Sequence, residues 1–257
     1  MPETLVCSTE GRVATITLDR PDSLNAVNGE LGAELVSTVE MLEDNESIDV
    51  VGLRGRGDSF SSGYDLGELR DDIDGMSYDN FVRHMDAKRS LQALSRLVRD
   101  SSMVFVSAAK GYSLGAGFEL AVIADICIAA EDAAFGFPET GVGLSITNGV
   151  TNLLPRSIGL HRAKLLTLTG EQISGAEAAE MGIVADAVPP DQLEDRVDAV
   201  VDRVLERAPT AVEETKRLLN VGNQASYEES LEREVNAGLH LLRTEAYERA
   251  IREFFEE

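Results

Sequence analysis

Short strand-like runs and helix-period stretches alternate over the first 190 residues, and after that only helical periods remain. Leu5-Val6-Cys7 and Val13–Leu18 alternate in the strand manner across a turn at Gly11-Arg12, the pattern of a hairpin. Asp19-Arg20-Pro21-Asp22-Ser23 then breaks the alternation with turn residues. A helix is expected over Asn28–Asp44, with Leu31, Leu35, Val39 and Leu42 on its apolar face. Val50–Gly55, Met103–Ala109 and Asp125–Ala130 read as buried strands, and Tyr78–Arg99 as a long amphipathic helix. Strands alternating with helices call for crossover connections and a largely parallel sheet, the α/β class. Ala163–Thr169, Ala176–Met181, Gln192–Arg207, Ala211–Val221 and Ser226–Arg252 carry the helical period, punctuated by Pro189-Pro190 and Pro209. The chain therefore divides into a core over 1–190 and a helical region over 191–257. The apolar stripes of that region must pack on the core or on a neighbouring subunit.

Two turns in the core stand out. Ser59-Phe60-Ser61-Ser62-Gly63-Tyr64-Asp65-Leu66 follows the strand at Val50, and Gly111-Tyr112-Ser113-Leu114-Gly115-Ala116-Gly117 joins a strand to a helix. Glycine at such a turn lets the backbone approach a ligand, and the first amides of the new helix have no intrahelical acceptor. Two such amides converging on one oxygen make an oxyanion hole. Each turn alone is also ordinary strand-end chemistry. The acids narrow the choice: Glu119 sits in the apolar helix Gly117–Ile123, and Glu139 ends the apolar run Phe135-Gly136-Phe137-Pro138. A buried carboxylate needs hydrogen bonds or a task, and two beside one glycine-rich turn fit a general acid/base pair.

Composition excludes several functions. Forty-six acids face 23 bases, a formal charge of −23, which repels nucleic acid and anionic membranes. With lysine confined to positions 88, 110, 164 and 216 and the acids spread along the chain, adaptation to high salt is the expected reading. No window reaches the about 18 apolar residues of a membrane span, and Met1–Leu5 does not open a secretory signal. Cys7 and Cys127 lie among apolar residues as small hydrophobes of a reducing compartment, so a cytoplasmic location is expected. His84, His161 and His240 lack ligand spacing, and no metal is expected.

The motifs taken in order resemble the crotonase (enoyl-coenzyme A hydratase/isomerase) superfamily. They are Asp19-Arg20-Pro21 with Leu24-Asn25-Ala26, the two glycine turns, Ala134-Phe135-Gly136-Phe137-Pro138-Glu139, and Leu168-Thr169-Gly170 with Ala176-Glu177-Ala178 and Gly182-Ile183-Val184. The resemblance implies a crotonase-like α/β spiral of ββα units, with 191–257 as a trimerisation region in a homotrimer or homohexamer. It implies the amides of Tyr64 and Ala116 as oxyanion-hole donors and Glu119 and Glu139 as the two glutamates that hold water. It places the acyl-coenzyme A thioester against Arg20, Leu24, Ala26, Ser62, Gly63, Asp65, Leu66, Gly115 and Thr147. Coenzyme A enters as part of the substrate, and no separate cofactor is implied.

The chain departs from the family pattern at several points. Thr147 stands where a pocket-lining glycine is expected, and Gly67 where relatives carry a lysine near the coenzyme's phosphates. Tyr64 is bulkier than the usual alanine, and the tail lacks a basic cluster, which leaves the coenzyme to other bases such as Arg20 or to screening by salt. Asn148 reads as a further polar contact or as a cap for the segment that follows, the cap being the expected reading. Asp65 and Glu68 read as helix N-terminal acids. Hydration of a 2-enoyl thioester is the expected reaction, with double-bond isomerisation and non-catalytic binding as the rivals.

Overall fold

A computed structural model describes residues 2–71, 90–222 and 224–256. Strand β1 (Leu5–Glu10) pairs antiparallel with β2 (Val13–Leu18) around Gly11, whose φ of +56° closes the turn. Helix α1 (Gly29–Glu43) starts at Asn28, whose side chain accepts from Leu31 N, and it buries Leu31, Leu35, Val39 and Leu42 as its periodicity predicts. Strands β2, β3 (Val50–Gly55), β4 (Val104–Ala109), β6 (Ile126–Ala130) and β9 (Asp186–Val188) run parallel, giving one sheet in the order β1-β2-β3-β4-β6-β9. Every residue of β4 is buried, because helices cover both faces of a parallel sheet.

A smaller sheet orders β5 (Tyr112–Leu114), β7 (Ala134–Gly136) and β8 (Ile173–Ser174). It stands beside the large sheet and carries the second glycine turn on β5. Helix α2 (Leu66–Asp71) follows the first turn, and α3 (Leu91–Asp100) realises the described part of the helix expected over 78–99. The remainder of that stretch, with His84, lies outside the described residues.

Helix α4 (Ala116–Ile123) leaves the second turn, and α5 (Val150–Ile158) and α6 (Leu160–Thr169) follow as a pair joined at Gly159. Helix α7 (Gly175–Met181) opens with a capping box between Ser174 and Glu177. Helix α8 (Leu193–Leu205) buries Leu193, Val197 and Val201 against the sheet. Helix α9 (Pro209–Gly222) is tied down by Lys216, whose ammonium pairs with Asp125 at 2.7 Å and donates to the carbonyls of Val98 and Met103. The single helix expected over 226–252 is two, α10 (Tyr227–Leu241) and α11 (Glu245–Glu256). The break falls where the Thr244 hydroxyl turns back to Leu241 O and accepts from Tyr247 N.

Candidate active site

The two glycine turns meet. Ser61 N donates to Tyr112 O at 2.9 Å and Leu114 N to Ser61 O at 3.0 Å, so the first turn runs beside β5 like an added strand. Gly63 has φ +99°, and a Cβ there would stand 2.8 Å from Leu114 O and 3.6 Å from Ala116 N. Only glycine permits that approach, and it brings the next residue, Tyr64, to the start of α4. Neither the Tyr64 nor the Ala116 N–H has a hydrogen-bond partner among the described residues. For Ala116 the cause is its place at the head of a helix, before any intrahelical acceptor.

Both glutamates lie against these turns. Glu119 is one turn into α4 and 1% exposed; its Oε1 accepts from Asn148 N at 2.8 Å and its Oε2 from Asn148 Nδ2 at 2.5 Å. Burial pushes its pKa up to about 7, the Asn148 donors pull against that, and the Glu139 charge adds to the rise. Glu139 lies in the single-turn segment Pro138–Val142 and is 5% exposed. Its Oε2 has no hydrogen-bond partner among the described residues, and burial raises its pKa as well. The second turn is fastened to the strand before Glu139 by a Gly115 N to Gly136 O bond of 2.9 Å.

Tyr64 contributes more than its amide. Its hydroxyl lies 3.1 Å from Asn148 Nδ2. Burial raises the phenol's pKa; Thr147 and Asn148 lower it, and both glutamate charges raise it, so the ring's polar end faces the two acids. Thr147 Oγ1 is buried beside it with no geometrically sound hydrogen bond among the described residues. Asn148 is 2% exposed and does not cap α5: the N-cap is Gly149, without a side-chain bond. The expected cap is a clamp on Glu119 instead, because the chain turns at Gly149 (φ +97°) and sends the asparagine inward.

The other predicted residues lie in the first turn and in the 20–26 loop hydrogen-bonded to it. Arg20 Nη2 pairs with Asp65 Oδ2 at 3.0 Å and its Nη1 bonds Ala26 O, so the cation expected near the coenzyme also braces the first turn. Arg20 holds the Asp65 carboxyl below its ordinary range, and Asp65 accepts from Gly67 N as an acid at the head of α2. Glu68 instead reaches across to Gly29 N at 2.9 Å, serving the head of α1. Ser62 N donates to Leu24 O at 2.9 Å, Leu24 and Leu66 are exposed, and Ala26 is buried. Asn25, whose role the sequence does not announce, is fully buried in the left-handed region at φ 55°. Its side chain accepts from Arg20 N and donates to Arg56 O and Ser59 O, which locks the loop.

A cavity of about 750 Å³ lies further along α4, bounded by Val122, Ile123, Gly149, Leu153, Leu219 and the Asp125–Lys216 pair. Neither glutamate lines it. No cluster of potential metal ligands occurs among the described residues, and no described helix is long and apolar enough to cross a membrane.

Residues 8–257 match the family described as enoyl-CoA hydratase/isomerase. A short-chain-enoyl-CoA hydratase of Clostridium acetobutylicum is 31% identical over 255 residues, spanning 98% of this chain and 94% of that protein. A crotonyl-CoA hydratase of Syntrophomonas wolfei is 29% identical over 242 residues, 91% of this chain and 88% of its own length. The solved enoyl-CoA hydratase of Bacillus anthracis superposes with a TM-score of 0.91 at 28% identity, covering 99% of this chain and 96% of that one. The α/β architecture anticipated from the motifs is thus the one observed, and the chain belongs to the enoyl-CoA hydratase/isomerase family.

Proposed function

We propose that the chain is an enoyl-CoA hydratase, adding water across the 2,3 double bond of a 2-enoyl-CoA to give a 3-hydroxyacyl-CoA. The observation that carries this reading is the placement of two unpartnered amides, Tyr64 and Ala116, against two buried carboxylates, Glu119 and Glu139. In the reaction the thioester oxygen accepts from both amides, which stabilise the negative charge that develops there. Water attacks C3; one glutamate takes its proton, and the other gives a proton to C2 of the resulting enolate. The sum is one water added, with no redox change and no cofactor beyond the coenzyme A of the substrate. Burial raises the pKa of both carboxyls, Glu119 to about 7, which suits them to the roles of acid and base.

Gly63, Gly115 and Thr147 would contact the acyl end, and Leu24, Ala26, Ser62, Asp65 and Leu66 the coenzyme side, with Arg20 nearest its phosphates. Isomerisation of the double bond is the second reading. The presence of both glutamates favours hydration, since moving a double bond needs no water held between two acids. The discriminating experiment is hydration of crotonyl-CoA followed spectroscopically, where turnover without hydration would select isomerisation.

The assembly we infer is a homotrimer or homohexamer built through 191–257. Exposed Val235, Leu239, Leu242 and Ile251 on α10, on α11 and at their junction support it, because apolar residues in such number call for a covering surface. The charge of −23 supports work at high salt without nucleic acid or membrane partners, and the two free cysteines support a cytoplasmic location. Its melting temperature should rise from 0.1 to 2 M KCl.

A further inference from the structure

Asn148 spends all of its nitrogen donors on the candidate site. Its main-chain N–H goes to Glu119 Oε1 at 2.8 Å, and its side-chain amide to Glu119 Oε2 at 2.5 Å and to the Tyr64 hydroxyl at 3.1 Å. The residue is 2% exposed, so nothing but this contact explains a polar side chain at that depth. A carboxylate held at both oxygens by donors from one rigid residue has a fixed plane, and the same asparagine links that plane to the turn that carries the Tyr64 amide.

Resting on the hydratase reading, we propose that Asn148 is the positioning residue of the reaction, clamping the Glu119 carboxylate so that its remaining lone pairs face the substrate. An amide N–H serves only an acceptor, so the clamp favours the ionised carboxylate against the desolvation that opposes it. Without the side-chain donor only the main-chain hydrogen bonds from Asn148 and Thr147 oppose burial and the Glu139 charge, and Glu119 stays protonated to higher pH. Among the described residues the titratable groups facing Glu119 are Glu139 from the 138–142 segment and Tyr64 from the first turn.

The test compares wild type with Asn148→Ala and the isosteric Asn148→Asp in crotonyl-CoA hydration from pH 5 to 9. The Ala variant loses one charge-assisted bond, and kcat should fall about 10- to 100-fold with KM changed less. The pH limb set by Glu119 should move up by about one unit. The Asp variant places a like charge beside Glu119 and should move the limb further. Profiles of both variants that superimpose on wild type overturn the proposal; if the Ala variant does not fold, the Asp variant decides by the same criterion. The Glu119 titration is also read without turnover, by infrared difference spectra of wild type against Glu119→Gln, with and without Asn148→Ala. An unmoved carboxyl band contradicts the clamp even if the hydratase reading itself fails, so the two failures are separable.

Discussion

The Glu139 carboxylate occupies the space in which a side chain at Gly115 would stand: a Cβ built on Gly115 would lie 2.7 Å from Glu139 Oε1. Gly115 is also the N-cap of α4, with φ 52° and ψ −123°, a backbone conformation open to glycine and costly for other residues. One residue therefore makes room for the second acid and starts the helix that carries the first.

Gly115→Ala is the sharpest test of that geometry. The added methyl displaces Glu139, and misplacement by about 1 Å costs on the order of 100-fold in turnover. We expect a loss of that size in kcat, measured by crotonyl-CoA hydration, with the far-ultraviolet circular dichroism preserved. Activity within two-fold of wild type would contradict the contact.

Glu119→Gln and Glu139→Gln should each lower kcat by about 10²–10⁴-fold, the range for loss of a general acid or base. The double variant should be scarcely worse than the poorer single one, because residues acting as a unit are not additive. Single variants that retain a tenth of the wild-type rate would remove that glutamate from the chemistry.

The pH dependence of stability follows from Glu119. Its pKa is about 7 in the folded chain against an ordinary 4.5, so between those values the folded state binds more protons than the unfolded one. Its stability contribution is full below pH 4.5 and is lost as pH rises through 7. Glu119→Gln escapes that loss, and its melting temperature relative to wild type should be higher at pH 8 than at pH 5. A difference independent of pH would mean that the carboxyl is not buried as described.

Much of this was legible before any coordinates. Glycines at 63 and 115 and acids inside apolar runs at 119 and 139 announce themselves because each breaks a local rule that packing alone would obey. The hairpin, α1 and the strands of the large sheet follow from periods that a long run makes plain. The small sheet does not, since strands of two or three residues such as β8 show no period. Helix α5 was hidden by Pro155, which stands inside it. Asn148 next to a glycine has the local signature of a cap; only the fold, which turns it toward Glu119 29 residues earlier, reveals the clamp.

Lys216 gives a prediction outside the site. Its ammonium is buried against Asp125, lies 5.2 Å from the Phe105 ring centre and joins α9 to the core. Burial lowers the lysine's pKa, and Asp125 counters that shift. Lys216→Met strands the Asp125 charge and should cost about 3–5 kcal/mol in urea unfolding. The rate per folded molecule should be unchanged. A cost below about 1 kcal/mol would show that the pair is not buried in solution.

The most direct measurement is a crystal structure of Glu139→Gln with crotonyl-CoA bound. The account predicts the thioester oxygen about 3 Å from both Tyr64 N and Ala116 N, with C2 and C3 between the side chains at 119 and 139. A thioester oxygen bonded to neither amide, or an acyl group lodged away from the two acids, would contradict it.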